Sequence, residues 1–476
     1  MLPRLVVVCL LLALCANRAA AQRNAAPPDS VLLALCPYDS LVVTRLEFAG
    51  NKLTQEYIIR AELDLTEGEV VQLFELGTRL EQNRLRLENL QLFHSARVDI
   101  LSCEAGRLEL RFTVQERWYV WPTPIFVLAD RNLNVWIRNP NFQRIDYGVS
   151  IRHYNFRGRN EKLRLKLQHG FNRIYELNYS LPRLIQAPKW GLFTSFLFHQ
   201  SHFVDFKTER NSILTYRDEH DFPTRYFHLQ GGATYRKNSN LLYQAAVTYS
   251  QQRISDSVFF RNPAFLLGSP HRRQLHLEVA RTLNLRNTFS YPLSGHFFRV
   301  MARQSFPLGG GANYLTLLSG RYAWYQPLGR GFYYATSLEA ETKLSHRIAY
   351  ADNRALGYNT VVRGYELRVA DGQHFGLLKQ GLSLALLRNR FVHLKFLNNP
   401  RFDLIPVSVF LNGFFDVGYV HDDFYLETNQ RTSNRLLAGT GLGLHIVTYY
   451  DRVFTMEYSL NRDRERGFFI RTAFPI

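Results

Sequence analysis

Long apolar runs are nearly missing from this 476-residue chain, because after residue 21 none approaches the roughly 18 to 20 residues that a membrane-spanning helix needs. The chain is therefore not expected to be a helical membrane protein. Cysteine and methionine are scarce, with 4 and 3 residues. No His-Glu-x-x-His pattern, nucleophile elbow or Cys/His metal spacing occurs among the 15 scattered histidines. We expect neither an enzyme nor a metal site, and no cofactor.

The first 21 residues have the pattern of a secretory signal peptide. One basic residue precedes an apolar run from Leu5 to Ala16, and small residues follow at Ala19-Ala20-Ala21. This predicts export with cleavage after Ala21, since the segment is too short and wrongly flanked for a membrane helix. Lipidation at Cys15 is the alternative, which Leu14 disfavours because a small residue is expected there.

Cleavage would leave Cys36 and Cys103 as the remaining cysteines. Two cysteines in an exported protein can pair, which would join a linker over residues 22–40 to the first folded unit. The alternative is two unrelated thiols, because the sequence does not give the distance between them.

Aromatic residues are plentiful, at 14% of the chain with 26 Tyr and 35 Phe. In an exported chain this composition favours extensive β structure with aromatic girdles. The net charge of +18 would suit nucleic-acid binding, but export and the even spread of basic residues disfavour it. A basic barrel lumen, or basic loops facing anionic lipid head groups, fits better, and no nucleic-acid partner is expected.

Residues 41–118 predict a small α+β domain of the order strand, helix, helix, strand, strand. The first strand alternates and stops at a Gly-Asn turn, and the second helix has leucines on one face. The predicted elements are the strand Leu41–Phe48, the helices Thr54–Leu63 and Leu76–Leu92, and a hairpin of Arg97–Leu101 with Arg107–Glu116.

From Trp118 onward the hydrophobic pattern has period two. In Lys162–Gln168, leucines occupy one face and charged or amide side chains the other, which suits water on one side and either a core or lipid on the other. The repetition of this pattern in strand after strand is typical of a transmembrane β-barrel. About sixteen such segments predict a mainly β protein with a 16-stranded antiparallel transmembrane barrel over 119–476. They begin near residues 119, 145, 161, 174, 191, 224, 241, 272, 296, 314, 331, 375, 406, 435, 452 and 467.

Connection lengths support this count. Those after odd strands include the long ones, whereas those after even strands are often tight, as in Arg157–Asn160 and Pro327–Arg330. Long loops at one end and short turns at the other are the expected asymmetry of an outer-membrane barrel. The stretch 390–405 is an exception.

The long connection after the eleventh strand contains Val362-Arg363-Gly364-Tyr365. Downstream, Asp416 and Gly418 share one strand face with Ser408 and Asn412, and parity places that face toward the lumen. Arg363 presents a planar fork of donors, so a charge-assisted contact with Asp416 would dock the connection on the barrel wall. Gly364 would allow a sharp turn, and Tyr365 would pack on the same wall.

A glycine-rich strand follows at Gly439, Gly441 and Gly443. Their spacing places all three on one face, and no helix follows to hold a pyrophosphate, so nucleotide binding is not indicated. These glycines instead leave room inside the barrel for the inserted connection. In a further predicted outer loop, Asp422-Asp423 offers two adjacent carboxylates, for which a solvated turn is favoured over a cation site.

Together these motifs resemble the Omp85 superfamily. Val362–Tyr365 is similar to the VRGY/F motif of that family's sixth extracellular loop, Phe415–Gly418 to its F-x-D-x-G strand, and Gly439–Gly443 to its glycine-rich strand. Residues 41–118, with Phe48–Asn51 closing the first strand, resemble one POTRA domain, the family's periplasmic module.

The resemblance implies an outer-membrane factor that inserts β-barrel proteins, with the bilayer and unfolded polypeptides as partners, and periplasmic chaperones or accessory lipoproteins as further ones. The first and last strands, near Ile125 and Phe469, would form its seam, and Phe474–Ile476 departs from the usual terminal aromatic. Alternatives are a two-partner polypeptide transporter, which usually carries two POTRA domains and a plug helix, and a passive pore.

Overall fold

The computed structural model describes Cys36 and residues 38–128, 145–209, 212–309, 313–393, 404–425, 432–448 and 452–472. The predicted signal peptide, most of the linker and Phe474–Ile476 lie outside these residues. Within them, no helix combines the length and the apolar character needed to cross a membrane.

Residues 40–116 form an α+β domain around a single apolar core. Its elements are β1 Ser40–Ala49, α1 Glu56–Arg60, β2 Val70–Gln72, α2 Leu73–Asn89, β3 Phe93–Glu104 and β4 Arg107–Glu116. The strands pair in the order β2-β1-β4-β3, with β1 and β4 parallel. The predicted order is correct, but α1 is shorter than Thr54–Leu63, α2 begins three residues before Leu76, and β2 was not anticipated.

The core of this domain comes from the apolar face of α2 and the inner face of the sheet. Leu76, Leu80 and Leu87 of α2 are fully buried, together with Phe112 of β4. Cys36 lies in the same core and forms a disulfide with Cys103, with the two Cα atoms 5.5 Å apart. The pairing that the sequence left open therefore joins the segment before β1 to β3.

Twenty strands follow, and sixteen of them form one antiparallel sheet. The strands are β5 Val120–Leu128, β6 Ile145–Phe156, β7 Glu161–Gly170, β8 Asn172–Leu181, β9 Trp190–Ser201, β10 Phe203–Glu209, β11 Ser212–Arg217, β12 Thr224–Arg236, β13 Leu241–Ile254, β14 His271–Asn284, β15 Gly295–Pro307, β16 Leu315–Gly329, β17 Phe332–Leu344, β18 Arg354–Leu356, β19 Ala370–Asp371, β20 His374–His393, β21 Leu404–His421, β22 Leu436–Thr448, β23 Arg452–Asn461 and β24 Arg466–Arg471.

The 16-stranded sheet runs in chain order from β5 to β24, omitting only the pairs β10-β11 and β18-β19. Each predicted strand start lies within two residues of an observed one. Apolar side chains face outward, as in β7, where Leu167 is 43% exposed, while Lys162, Arg164 and Lys166 face the lumen. The predicted 16-stranded barrel with an apolar exterior and a polar interior is confirmed.

The stretch 390–405 departs from the pattern because β20 and β21 are the longest strands of the sheet. Their pairing extends to His393 and Leu404, and the register shifts between Ala385 and Leu387 and again between Leu387 and Arg390. Each irregularity interrupts the alternation of side chains between the two faces of the sheet. The extra length of these strands was therefore not apparent from a two-residue period in the sequence.

The long connections contain structure of their own and form a cap over one end of the barrel, here called the long-loop end. It consists of the hairpin β10-β11, the helix α3 Asp256–Arg261, a 3-10 turn at Pro263–Leu266 and another at Tyr350–Asp352. Their apolar side chains form one buried cluster that includes Val204, Val258, Phe265 and Tyr350. The sequence predicted long connections here but not these elements.

The α+β domain contacts the opposite, short-turn end. Asn155 Nδ2 donates to Thr54 Oγ1 at 2.9 Å, and the backbone N–H of Gln55 donates to the carbonyl of Gly158 at 2.9 Å. An ion pair joins Arg183 Nη2 to Glu62 Oε1 at 2.6 Å, with both side chains less than 10% exposed. The domain therefore lies against the turns that follow even-numbered barrel strands.

Candidate functional site

The connection between β17 and β20 folds into the barrel rather than away from it. The short strands β18 and β19, near the start and the end of this connection, pair with each other. Between them, Tyr358 donates a hydrogen bond to Asp371 at 2.6 Å. Burial, together with the neighbouring carboxylate of Asp371, raises the pKa of Tyr358, so its hydroxyl stays protonated and able to donate. Beyond these strands, Val362, Arg363 and Tyr365 are at most 4% exposed.

Arg363 lies directly against Asp416 of β21. Its Nε donates to Asp416 Oδ2 at 2.8 Å, its Nη2 donates to Oδ1 at 2.5 Å, and its backbone N–H donates to Oδ2 at 3.1 Å. The two side chains are 1% and 0% exposed. This is the bidentate, charge-assisted geometry that suits the arginine fork, and it was anticipated from the strand parity of Asp416.

Two further side chains contact Arg363, and the sequence did not single out either. Glu457 of β23 places Oε1 3.4 Å from Arg363 Nη1, and the ring of Phe414 lies 4.0 Å from the guanidinium carbon. In the sequence, Glu457 shares one strand face with Thr455 and Ser459, opposite Phe454 and Tyr458. That pattern was the available signal, since a buried lumen carboxylate needs a cation.

The residues beside Arg363 fit the wall closely. Gly364 has φ +99°, a backbone conformation that residues with a side chain rarely adopt. Its carbonyl accepts a hydrogen bond from Asn461 Nδ2 at 2.8 Å. Val362 and Tyr365 belong to an apolar cluster with Leu377 and Val420 of the wall. The predicted turn at Gly364 and packing of Tyr365 are both present.

Three of the four glycines predicted on the wall make room around the docked residues. A Cβ atom at Gly439 would overlap the carbonyl oxygen of Arg363, and one at Gly418 would lie 2.5 Å from Val362 Cγ2. At Gly441 it would lie 2.1 Å from the carbonyl oxygen of Tyr458 and 2.7 Å from Phe414 Cζ, in the ring that stacks on Arg363. A Cβ atom at Gly443 would instead lie 2.8 Å from Glu457 Cγ, so this glycine makes room for the side chain of Glu457.

The inserted connection is also joined to the last strands of the sheet. Glu366 forms an ion pair with Arg471 of β24, and Arg471 bonds Glu457 in turn. Arg368 pairs with Glu465 in the turn between β23 and β24. The connection is thus fixed to the C-terminal end of the sheet at several points besides Arg363.

A second segment enters the lumen from the short-turn end. Tyr291, in the connection between β14 and β15, stacks on Phe410 with ring centroids 4.6 Å apart. Its hydroxyl lies 3.0 Å from His445 Nδ1, and His445 Nε2 lies 3.5 Å from Glu457 Oε1. Asn89 of α2 donates to the carbonyl of Asn287 in the same connection at 3.0 Å. No pattern in the sequence indicates that this connection enters the barrel.

Asp422 is not part of a solvated turn, contrary to the sequence-based expectation. It is fully buried and accepts hydrogen bonds from Gln373 Nε2 at 2.9 Å and from the backbone N–H of Tyr425 at 3.2 Å. Gln373 is remote in sequence, so its hydrogen bond to Asp422 Oδ1 was not visible in the Asp-Asp motif. Asp423 is exposed beside His421. No cluster of three metal-ligating side chains occurs in the described ranges.

The two ends of the sheet, which we call the seam strands, are β5 and β24. β24 has six residues, and β5 carries Pro122 and Pro124, which lack N–H donors and are typical of edge strands. Phe126 of β5 and Ile470 of β24 are exposed on the outer face. Ile125 and Phe469, the residues that the sequence placed at the seam, lie in these strands.

The fold of this chain is similar to that of known proteins. No curated protein matches its sequence. Among solved structures, BamA from Haemophilus ducreyi lacking POTRA domains 1-3 has a TM-score of 0.51 at 13% identity, over 91% of this chain and 83% of that one. CdiB from Escherichia coli has a TM-score of 0.54 at 14% identity, over 91% and 74%. The model of the Omp85 superfamily domain matches residues 155–448, more than half of the chain. The chain therefore belongs to the Omp85 superfamily.

Proposed function

We propose that this chain inserts unfolded β-barrel proteins into the bacterial outer membrane, with its α+β domain in the periplasm. The observation that carries the proposal is the attachment of the inserted connection to the C-terminal end of the sheet. Arg363, Glu366 and Arg368 together contact β21, β23 and β24 and the turn before β24. The wall beside the seam is thereby held in place from inside the lumen.

The seam strands themselves are suited to opening. β24 contributes six residues, and two of the nine residues of β5 are prolines, so few backbone hydrogen bonds can join them. Each such bond stabilises by about 1 kcal/mol net, which makes opening far less costly than separating an interior pair of long strands. An open edge presents the unpaired backbone groups on which a client strand can form.

The α+β domain supplies a second place for a client to bind. β3 lies at one end of the four-stranded sheet and, with twelve residues, is the longest strand of the domain. An extended polypeptide can add to such an edge through main-chain hydrogen bonds, without a requirement for a particular sequence. The disulfide at Cys103 fixes this edge strand to the segment before β1.

Reconstitution tests the proposal directly. Liposomes containing the full chain are mixed with an unfolded β-barrel client, and folding is timed by the shift of the client on an unheated gel. We expect faster folding than in empty liposomes, and slower folding when the liposomes carry Arg363→Ala. Equal rates in empty and loaded liposomes would contradict the proposal.

Polypeptide transport through the lumen is the second candidate. It is favoured by a recess of about 620 Å³ in the wall formed by β6 to β9 and β12 to β13, which is lined by Arg152, Lys162 and Arg164. An extended acidic segment would find cations along this wall. In the liposome assay, transport predicts that a secreted polypeptide becomes protected from external protease, while folding of a barrel client is not accelerated.

A further inference from the structure

The outer wall of the barrel carries a groove far from the seam. It has a volume of about 850 Å³ and crosses the outward faces of β12 to β17. The floor of the groove consists of small residues in two neighbouring rows. Each row runs across the strands and contains residues that pair with one another on adjacent strands. The floor residues are Ala233, Ala245, Ala302, Gly320 and Ala340. Because these side chains are short, the wall is hollowed where an ordinary barrel strand would present leucine or valine to lipid.

One end of the groove carries the groups that mark a membrane interface. Trp190, Tyr235 and Tyr243 line it, and all three are within three residues of the short-turn end of their strands. Aromatic side chains with one polar atom are enriched at the level of the lipid head groups. The opposite part of the groove, beside Val300 and Leu318, is apolar.

A single cation projects outward among the groove residues. Arg281 of β14 is exposed, faces the membrane side between Val279 and Leu283, and stands 5.9 Å from the centroid of Tyr243. Among the described residues it has no carboxylate within ion-pair distance. An arginine on the lipid face destabilises a barrel most at mid-membrane, and the penalty falls toward the interfaces. Arg281 is three residues from the end of its strand, near the level of lipid phosphates.

We propose that this groove binds one glycerophospholipid from the leaflet on the side of the α+β domain. The guanidinium of Arg281 bonds the phosphate, the three aromatic side chains border the head group, and an acyl chain lies on the small-residue floor. The fork of Arg281 matches phosphate oxygens in geometry and charge, and the floor matches a chain without hydrogen-bonding groups. The site is independent of the docked connection and of the proposed function.

Two variants address the two halves of the site. Arg281→Gln removes the charge that bonds the phosphate. Gly320→Leu fills the floor without an internal clash, because a Cβ at Gly320 has Val300 Cγ1, at 3.9 Å, as its only neighbour within 4 Å. Matched controls are Arg225→Gln, at an exposed arginine of β12 outside the groove, and Gly231→Leu, where a Cβ meets nothing within 4 Å.

The experiment is native mass spectrometry of the full chain in mild detergent. Protein from cell membranes should retain one phospholipid, and delipidated protein should bind palmitoyl-oleoyl phosphatidylglycerol at one site. We expect Arg281→Gln and Gly320→Leu each to weaken binding about tenfold or more, as does replacing the lipid by the diacylglycerol without phosphate. Both control variants should bind as the wild type does.

Three results would overturn the proposal: wild-type affinity in Gly320→Leu, equal affinity for diacylglycerol, or a copurified lipopolysaccharide or peptide whose retention Gly320→Leu abolishes. Migration of each variant on an unheated gel shows that its barrel is folded, so lost binding cannot be assigned to misfolding.

Discussion

At the scale of single residues, Arg363 is the centre of the docked connection. Its guanidinium is buried and bonds Asp416 in two places while stacking on Phe414. Breaking a buried ion pair by removing one partner costs about 3–5 kcal/mol, because the other charge stays buried without compensation. The docking therefore depends on the exact shape of the side chain as well as on its charge.

Replacement of Arg363 should separate these two requirements. We expect Arg363→Ala to slow client folding strongly and Arg363→Lys to slow it to an intermediate extent, since lysine keeps the charge but lacks the planar fork. Both variants should still insert, as shown by a heat-dependent shift of the barrel on a gel. Full activity in Arg363→Ala and in Asp416→Ala would contradict the docking account.

Gly439 tests the space that the wall leaves for the connection. Gly439→Ala should displace the connection, because the added carbon overlaps the carbonyl oxygen of Arg363. Gly413→Ala, on the outward face of β21, places its Cβ 3.6 Å from Leu442 Cδ2 and serves as the control. Protease cleavage within residues 346–373 should speed up in the first variant only; equal cleavage in both would refute the steric argument.

The sequence was sufficient to pair Arg363 with Asp416, because alternation along a strand decides which side chains face the lumen. It was not sufficient for Glu457, although the same parity applied, because nothing in one strand says which cation it meets. Asp422 shows the opposite error. Its polarity indicated a solvated turn, but the side chain is buried, and the remote amide of Gln373 donates a hydrogen bond to its Oδ1.

At the scale of elements, the strands of the barrel were predictable because one face meets lipid and the other meets water. That contrast enforces period two over most of the sheet, and the alternation is interrupted at irregularities such as those in β20. The hairpin β10-β11 and the helix α3 were not predicted, because they pack against each other in the cap. Their burial depends on these contacts, which no local periodicity of the sequence reveals.

The contact between the α+β domain and the barrel depends on an ion pair between distant elements. Glu62 follows α1, and Arg183 follows β8, and both are buried at the contact. Glu62→Gln should loosen the domain by leaving Arg183 buried without a carboxylate, at a cost of about 3–5 kcal/mol. Faster hydrogen exchange at residues 53–62 and 155–160 would show it.

Glu75→Gln is the matched control for that measurement, because Glu75 is an exposed carboxylate on α2. Its exchange should equal that of the wild type. If Glu62→Gln exchanges no faster than Glu75→Gln, the ion pair does not hold the domain against the barrel.

At the scale of the whole molecule, the lumen is occupied from both ends. The connection after β17 enters from the long-loop end, Tyr291 enters from the other, and a buried apolar cluster closes the cap.

A passive pore requires a large, steady conductance. We expect planar-bilayer recordings of the wild type to show little conductance, and Arg363→Ala to raise it, with Gly413→Ala unchanged. A large steady wild-type current would favour the pore.

The central claim is that clients are inserted through the seam between β5 and β24. Cysteines introduced at Ile125 and Phe469, which alternate with the exposed Phe126, Phe468 and Ile470, are treated with bismaleimides of increasing length before reconstitution, and the joined protein is isolated. The account predicts that the joined protein loses its acceleration of client folding, while each single-cysteine variant treated in the same way keeps it. Undiminished acceleration with the seam strands joined would contradict it.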